Sequence, residues 1–487
     1  MNTKTLKGIL LYSLIIIAVV LLVFGIMILL MFIFPNLKLF GYGMISKNQT
    51  ITNTNIISTS GVVENYNLAV NAGNFDLSII GTEDDKISYK VIDHCFGASN
   101  VFKSNVKESA QSNGYSLTLT EPNGIILYKN SSFTVYVPKN LIYNLTVKTD
   151  GGNINVTNIT VDNLNVTTGN GNFYLKEKDI TSLTLSSLYI QTNSGAFNFK
   201  DYANVEVIDE LIINSNKGNF LFNNLTADVK INSKDVYFEA INVTTCSKGF
   251  EANIKNIVLK ISNALTSTSQ NSILTSSCLI NIANLTGTTS IKSSNGDITF
   301  GIINSECVIY SSEGNVKIDK AKEYIKVESK YADITVKEFE KNAYFINSNG
   351  KITAKSTSLD TFDNTIIRTG AGNVTFETAI APFNIKCTGT SSVNLTINKF
   401  YYGESASDAK QYVLEVENGN ALVKIDSNSF FKYIAKGDID NTHGNSILTP
   451  HETAVVYPPN TTLPDGISEE MLSLLKVIGG KLEFKYA

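Results

Sequence analysis

The sequence predicts an all-β protein, a single-stack β-solenoid preceded by one transmembrane helix. Two observations predict the solenoid. A short polar turn containing a glycine or another small residue recurs along the chain, and each turn is followed by apolar residues two positions apart. One long apolar run near the N-terminus predicts the helix. A series of β-sandwich domains is the alternative, because these domains also contain short alternating strands.

The first element is the apolar run, which covers residues 9–34 without a charged side chain. As a helix it would be about 39 Å long, enough to cross a hydrocarbon core of about 30 Å. It is also longer than the apolar region of a cleaved signal peptide, about 7–15 residues. We therefore expect a retained signal anchor that binds the lipid bilayer. Lys4 and Lys7 precede the run, which predicts that residues 1–8 are a cytoplasmic stub.

The segments after the anchor are expected to lie outside the plasma membrane, as the extracellular part of a single-pass protein. Residues 35–60 are rich in Thr, Asn, Ser and Ile and are interpreted as a stalk. Residues 61–140 contain weaker copies of the repeat and longer excursions, which favours an N-terminal cap with the first coils. Residues 141–430 are predicted to be the solenoid repeats.

The repeat is most regular between Gly296 and Gly350. Its turn positions follow one another at intervals of eighteen residues at Gly296, Gly314, Ala332 and Gly350. After each turn, apolar and polar residues alternate, as Ile298 and Phe300 do with the residues beside them. This is strand spacing, and each unit has too little apolar surface to fold alone. Neighbouring units must therefore stack.

The last element, residues 431–487, differs from the repeats and is predicted to be a C-terminal cap. Four prolines interrupt regular structure between residues 450 and 465. A short helix is predicted near residues 468–476, because Glu469 and Glu470 stand in its first turn. A cap at this position would prevent end-to-end pairing of exposed strand edges.

Composition excludes a nucleic-acid-binding surface of the usual kind. The chain has 40 basic and 44 acidic residues, with Arg368 as the only arginine, and so has no general basic excess. The five cysteines, Cys95, Cys246, Cys278, Cys307 and Cys387, form no C-x-x-C pair. A metal site is therefore not predicted, and most of these cysteines are expected to be small buried apolar residues.

The three histidines do not indicate a catalytic site. His94 and Cys95 are adjacent, but neighbours on a strand point to opposite faces of the sheet. His443 and His451 lie in turn-like or proline-containing sequence and have no partner at metal-ligand spacing. No catalytic, cofactor-binding or metal-binding residue is predicted, and no cofactor is expected.

Three carboxylates keep one enzymatic alternative open, since parallel β-helices also occur in polysaccharide lyases and hydrolases. Asp297, Glu313 and Asp333 are about one coil apart, which is the spacing that adjacent coils would require. They also occupy turn and outward positions where polar residues are expected for structural reasons. A groove lined by acids on successive coils would favour the enzyme.

The repeat resembles the "putative adhesin" β-solenoid family over about residues 60–430. The resemblance rests on IKSSNGDITF at residues 291–300 and KVESKYADITV at residues 326–336, which are similar to the family's Ser-x-x-Gly-Asp-Ile-x-Val units. It implies a surface-exposed solenoid, and it supplies no catalytic residues that could be transferred to this chain.

The predicted function is therefore that of a non-enzymatic, membrane-anchored surface protein. Its adhesin-like ectodomain would have a binding or structural role, with a glycan or protein ligand along the solenoid and no nucleic acid. An envelope-sensing or regulatory subunit is the alternative, followed by the lyase or hydrolase.

Overall fold

The structure is a computed structural model of the 487-residue chain. It describes residues 3–33, 42–56, 65–98, 104–111, 113–120, 126–177, 180–357, 365–378, 383–387, 392–397, 412–416, 420–425, 437–440, 446–448, 477–478 and 481–486. His443, His451 and the helix predicted near residues 468–476 lie outside these ranges.

The chain divides into two compact units. The N-terminal unit comprises Met1–Ile180 and Tyr189–Asn198, and the C-terminal unit comprises Thr181–Leu188 and Phe199–Ala487.

The described elements are one helix and 36 strands. The helix is α1 (Thr3–Ile33). The strands are β1 (Tyr42–Ile56), β2 (Tyr66–Asn71), β3 (Asp76–Thr82), β4 (Lys86–Ala98), β5 (Asn105–Gln111), β6 (Gly114–Thr120), β7 (Ile126–Pro138), β8 (Ile142–Thr149), β9 (Ile154–Thr157), β10 (Thr160–Thr168), β11 (Phe173–Lys176), β12 (Ser182–Leu185), β13 (Ser187–Asn198), β14 (Asn204–Val207), β15 (Leu211–Leu221), β16 (Asn224–Thr226), β17 (Val229–Thr245), β18 (Phe250–Ser267), β19 (Asn271–Thr286), β20 (Thr289–Ile303), β21 (Cys307–Ser311), β22 (Val316–Ala321), β23 (Ile325–Ser329), β24 (Ile334–Phe339), β25 (Ala343–Asn347), β26 (Ile352–Ser356), β27 (Thr365–Thr369), β28 (Val374–Thr378), β29 (Phe383–Cys387), β30 (Val393–Ile397), β31 (Tyr412–Val416), β32 (Asn420–Ile425), β33 (Gly437–Asp440), β34 (Ser446–Leu448), β35 (Val477–Ile478) and β36 (Lys481–Tyr486).

Helix α1 contains the apolar run of the sequence from Ile9 to Ile33. Its side chains are described without a break over positions 11–27, and nearly all of them are exposed. Among the residues described with their side chains, no helix combines the length and the apolarity that crossing a membrane requires.

The segment after α1 differs from the predicted stalk. Residues 42–56 form strand β1, which pairs antiparallel with β4 from Tyr42 opposite Ala98 to Ile56 opposite Lys86. The many threonines and isoleucines that made this segment look like a linker are β-branched residues, which favour extended backbone. Pairing with β4, whose residues lie 30 to 56 positions further along the chain, stabilises this segment as a strand.

The N-terminal unit is a solenoid whose stacking order differs from its chain order. Strand β2 pairs in parallel with β6 on one side and β8 on the other, and β3 pairs likewise with β7 and β9. The coil formed by β6 and β7 therefore lies on the opposite side of the first coil from β8 and β9. Strand β4 pairs antiparallel with β7, and β5 pairs antiparallel with β6.

The C-terminal unit is a solenoid in which each coil adds one strand to each of two parallel stacks. One stack runs from β20 through β21, β23, β25 and β27, and the other from β20 through β22, β24, β26 and β28. Parallel, in-register pairing of successive coils separates a solenoid from the antiparallel sheets of a β-sandwich. The predicted all-β solenoid is confirmed within this unit.

The core of the C-terminal unit consists of columns of apolar side chains, one from each coil. Ile291, Ile309, Val327 and Phe345 stand opposite one another in register, and each has no exposed surface. Aromatic rings continue this packing in earlier coils. The centroids of the Phe199 and Phe222 rings, for example, are 5.1 Å apart and the rings are nearly parallel. The alternation read from the sequence therefore places the apolar face inward.

Candidate functional site

A column of small polar side chains lies buried beneath the turns of the C-terminal unit. Thr275, Ser293 and Ser311 face one another in register on successive coils, and each is nearly buried. The Ser293 hydroxyl donates to the Asn295 carbonyl at 2.8 Å, and the Ser311 hydroxyl donates to the Glu313 carbonyl at 3.0 Å. A buried polar group needs such a partner. The serine of the Ser-x-x-Gly unit therefore holds its own turn.

Two of the three carboxylates considered as catalytic candidates hold successive coils together. The Asp297 carboxylate accepts the backbone N–H of Asn315 at 2.8 Å. The Asn315 side-chain carbonyl accepts the N–H of Asp333 at 3.3 Å, and the Asp333 carboxylate accepts the N–H of Lys351 at 2.8 Å. These bonds satisfy backbone donors at the turns, which is a structural role.

The third carboxylate, Glu313, does not belong to this ladder. It stands two positions before Asn315 in its coil and is exposed, whereas Asp297 and Asp333 share the position of Asn315. The acids predicted from coil spacing are therefore not brought together in one site. This arrangement gives the lyase or hydrolase alternative no support.

We expect Asp333→Ala to weaken local stability by about 1 kcal/mol, because the Lys351 N–H loses its acceptor at an exposed turn. Asp333→Asn keeps an acceptor oxygen and should change the local stability by only a few tenths of a kcal/mol. Hydrogen exchange of the Lys351 amide measures both effects. Equal weakening in the two variants would contradict the proposed role of this oxygen.

A buried carboxylate caps another turn of the same unit. Asp228 is 3% exposed and accepts the N–H groups of Cys246, Ser247 and Gly249 at 2.8, 3.0 and 3.1 Å. The Ser247 hydroxyl also donates to it at 3.0 Å. Burial alone would raise the pKa of Asp228, but the backbone hydrogen bonds outweigh it and hold this pKa below its usual range.

An open groove of about 760 Å³ lies along the C-terminal unit. We call it the serine–lysine groove. Its lining comes from successive coils at Ser233, residues 253–255, 274–276, 292–294, 310–312 and 328–330, and Ser348. Because five successive coils contribute the same three positions, the groove is a repeated surface and follows the direction in which coils stack.

The three positions of each coil have different roles. The first is an outward strand position, the second belongs to the buried column or its equivalent, and the third is the exposed position that follows it. The outward positions are Asn253, Leu274, Lys292, Tyr310 and Glu328, which pair in register. The exposed third positions are Lys255, Ser276, Ser294, Ser312, Lys330 and Ser348. The groove thus offers hydroxyl and ammonium groups to a ligand.

The Lys326 ammonium contacts two residues of the groove lining, Tyr310 and Glu328. The Lys326 ammonium donates to the Tyr310 hydroxyl at 3.2 Å and lies 3.1 Å from the Glu328 carboxylate. It also stands 4.9 Å from the centroid of the Tyr310 ring, a cation–π distance. Hydrogen bonds to Tyr310 and Glu328 raise the pKa of Lys326, and the one to Tyr310 has the larger effect. Lys326 therefore holds the ring in place and neutralises Glu328.

Sequence reasoning missed this groove, although a signal was present. Ser276, Ser294, Ser312, Lys330 and Ser348 follow one another at the same eighteen-residue interval as the turn glycines. Read one coil at a time, they are ordinary polar turn residues. Only their common spacing indicates that they form one column.

The described cysteines are free thiols with different environments. Cys278 and Cys307 are buried, as predicted, whereas Cys246 is exposed. Burial raises the pKa of Cys307 to about 12, so this thiol stays protonated. Residues 94 and 95 lie in β4, but their side chains are outside the described part of the chain, as is that of Cys387. Within the described residues, no group of three or more His, Cys, Asp or Glu could hold a metal ion.

Comparison with known families matches residues 65–246 to the family described as Toastrack DUF4097. The resemblance predicted from the repeat is thereby confirmed over this part of the chain. Most of the serine–lysine groove lies beyond the matched residues. Comparison with curated proteins finds no match.

Two solved structures are similar to this chain. One is a "putative cell adhesion protein" from Clostridium sporogenes ATCC 15579, with 12% identity over 58% of this chain and 100% of that chain and a TM-score of 0.18. The other is a "putative adhesin" from Parabacteroides merdae ATCC 43184, with 10% identity over 72% of this chain and 95% of that chain and a TM-score of 0.17.

Proposed function

We propose that this chain, a Toastrack-type solenoid over residues 65–246, is a membrane-anchored surface protein that binds an extended ligand along its C-terminal unit. The observation that carries this proposal is the serine–lysine groove, which repeats the same three lining positions on successive coils. Such a surface suits a polymer that makes many weak contacts. Its role is binding and not catalysis, since Asp297 and Asp333 bind backbone amides.

Helix α1 supports the membrane anchor. It is 31 residues long, or about 46 Å, against a hydrocarbon core of about 30 Å. Large apolar side chains are exposed along it, from Leu11 at 59% to Ile33 at 58%, and exposed apolar surface on this scale needs a partner. Lipid is the partner that we propose. Lys4 and Lys7 favour a cytoplasmic N-terminus and an extracellular solenoid on a plasma membrane.

The anchor is tested with the full-length chain in cells. We expect the protein to stay in the membrane fraction after alkaline carbonate extraction, and added protease to reach its solenoid in intact cells. Release by carbonate would refute the anchor. Protection of the solenoid until the cells are lysed would refute the extracellular orientation.

Ligand binding is tested with full-length protein in nanodiscs on an array of polysaccharides and matrix proteins, with each bound glycan assayed for cleavage. We expect binding to at least one extended polymer without cleavage. Replacing Ser294 and Ser312 by bulky Gln should weaken this binding, because both residues line the groove. Cleavage of a bound glycan would refute the non-catalytic role, and binding that is unaffected by these changes would place the site elsewhere.

A further inference from the structure

The serine–lysine groove differs in charge from the rest of the molecule. The whole chain has a formal charge of −4, but the lining contains Lys255, Lys292 and Lys330 against a single acid, Glu328. Lys326 already lies 3.1 Å from that acid. No described residue forms an ion pair with Lys255 or Lys292, and Lys330 stands 5.2 Å from the Tyr331 ring centroid. The groove is therefore a basic strip on an acidic protein, which attracts anions.

The three lysines are regularly spaced along the direction in which coils stack. Lys255 lies in β18, Lys292 in β20, and Lys330 directly follows β23. One coil lies between each successive pair, since β19 pairs with both β18 and β20, and β21 pairs with both β20 and β23. At about 4.8 Å per coil, the lysine-bearing coils are about 10 Å apart. This spacing suits a polymer in which every second sugar unit presents a carboxylate to the groove.

The groove surface between the lysines, formed by the outward strand column and the exposed serines, suits sugar rings. Leu274 and Tyr310 are 47% and 38% exposed, and both stand in the same outward column as Lys292. Such apolar surfaces can pack against the C–H face of a sugar. The exposed hydroxyls of Ser294 and Ser312 in the groove lining can each donate and accept a hydrogen bond, as sugar hydroxyls require.

We propose that the serine–lysine groove binds an extended acidic polysaccharide whose carboxylates pair with Lys255, Lys292 and Lys330. This inference rests on the proposed function and names the ligand class of the same site. The lysines supply charge recognition, while Tyr310, Leu274 and the serine hydroxyls recognise the sugars.

The test uses full-length protein in nanodiscs of zwitterionic lipid and measures binding of hyaluronan and polygalacturonate by biolayer interferometry. Each glycan is compared with its carboxyl-reduced form, which has the same backbone without the charge. We expect the acidic forms to bind more tightly and to lose affinity as salt is added. The triple variant Lys255→Gln, Lys292→Gln and Lys330→Gln should lose about 30-fold in affinity.

The matched control is the triple variant Lys317→Gln, Lys322→Gln and Lys351→Gln. These lysines are exposed in the same unit, lie outside the groove lining and change the net charge equally. We expect less than about a twofold change in affinity, since the long-range effect of net charge is screened by salt. Equal losses in both triple variants would overturn the proposal, because charge alone would then explain binding.

The remaining outcomes separate the ligand class from the proposed function. Suppose that a carboxyl-reduced glycan binds as tightly as its acidic form or more tightly, and that the Ser294 and Ser312 changes weaken this binding. The proposal of an acidic ligand would then be overturned, while the proposed binding role would stand. If poly-glutamate binds as tightly as the acidic glycans, sugars are not recognised, and the proposal of an acidic polysaccharide ligand would also be overturned. If neither hyaluronan nor polygalacturonate binds, the proposal of an acidic polysaccharide ligand would be overturned as well. The proposed binding role, by contrast, would fail if no polymer on the array bound.

Discussion

Gly314→Ala is expected to lower the local stability of the C-terminal unit by about 3 kcal/mol, through steric overlap and backbone strain. A Cβ atom at Gly314 would lie 2.3 Å from the carbonyl oxygen of Gly296 and 2.6 Å from its backbone nitrogen. Both atoms belong to the backbone of the preceding coil, so neither can rotate away. Gly314 also has φ of +97°, which L-residues rarely adopt. Hydrogen exchange of the amides in β21 and β22 measures the loss.

Ala332 supplies the matched control, because it occupies the same turn position one coil further on and is 2% exposed. Ala332→Gly should weaken the unit by only about 0.5–1 kcal/mol, the usual backbone-entropy effect of glycine. If Gly314→Ala proved as mild as Ala332→Gly, contact between stacked turns could not be the reason for the recurring glycine.

Asp228→Ala is expected to destabilise the C-terminal unit by about 3 kcal/mol, because the N–H groups of Cys246, Ser247 and Gly249 lose a buried acceptor. Urea unfolding of the micelle-solubilised full chain, followed by far-UV circular dichroism, measures this change. Asp209→Ala is the control, since Asp209 is exposed and should change stability by less than about 0.5 kcal/mol. A loss no larger than that of the control would contradict the proposed capping role.

The same carboxylate predicts a pH dependence. The pKa of Asp228 is lower in the folded chain than its usual value of about 4, so the unfolded chain binds the proton more tightly. The stability that Asp228 contributes is therefore complete above that usual value and is lost as the pH falls through the folded pKa. Asp228→Asn cannot titrate. The difference in stability between wild type and Asp228→Asn should shrink as the pH falls below the usual carboxyl value of about 4.

Local patterns account for much of what could be predicted. The alternation at Ile298 and Phe300 correctly identified two buried positions of a strand, because a period of two depends only on the extended backbone. The eighteen-residue interval likewise predicted that Gly314 follows Gly296 in a stack. The same patterns did not reveal β1, since its partner β4 is distant in sequence.

Register between coils lay beyond the sequence patterns for a physical reason. Asn253 and Leu274 are 21 residues apart, whereas Leu274 and Lys292 are 18 apart, yet all three stand in one column. Part of this difference lies at an irregularity between Ile261 and Ala264, where the offset between paired residues of β18 and β19 falls from 21 to 20. The position of a residue along its coil therefore does not follow from counting alone.

The sequence by itself determined which faces are buried, where the turns lie and which residue types can make them, because these depend on neighbouring residues. The tertiary structure decided which turns touch. It placed the β6–β7 coil beside the first coil, made Asp297 and Asp333 acceptors for the next coil, and aligned Lys255, Lys292 and Lys330 along one groove. Those outcomes depend on hydrogen bonds between strands far apart in the chain, which no local pattern encodes.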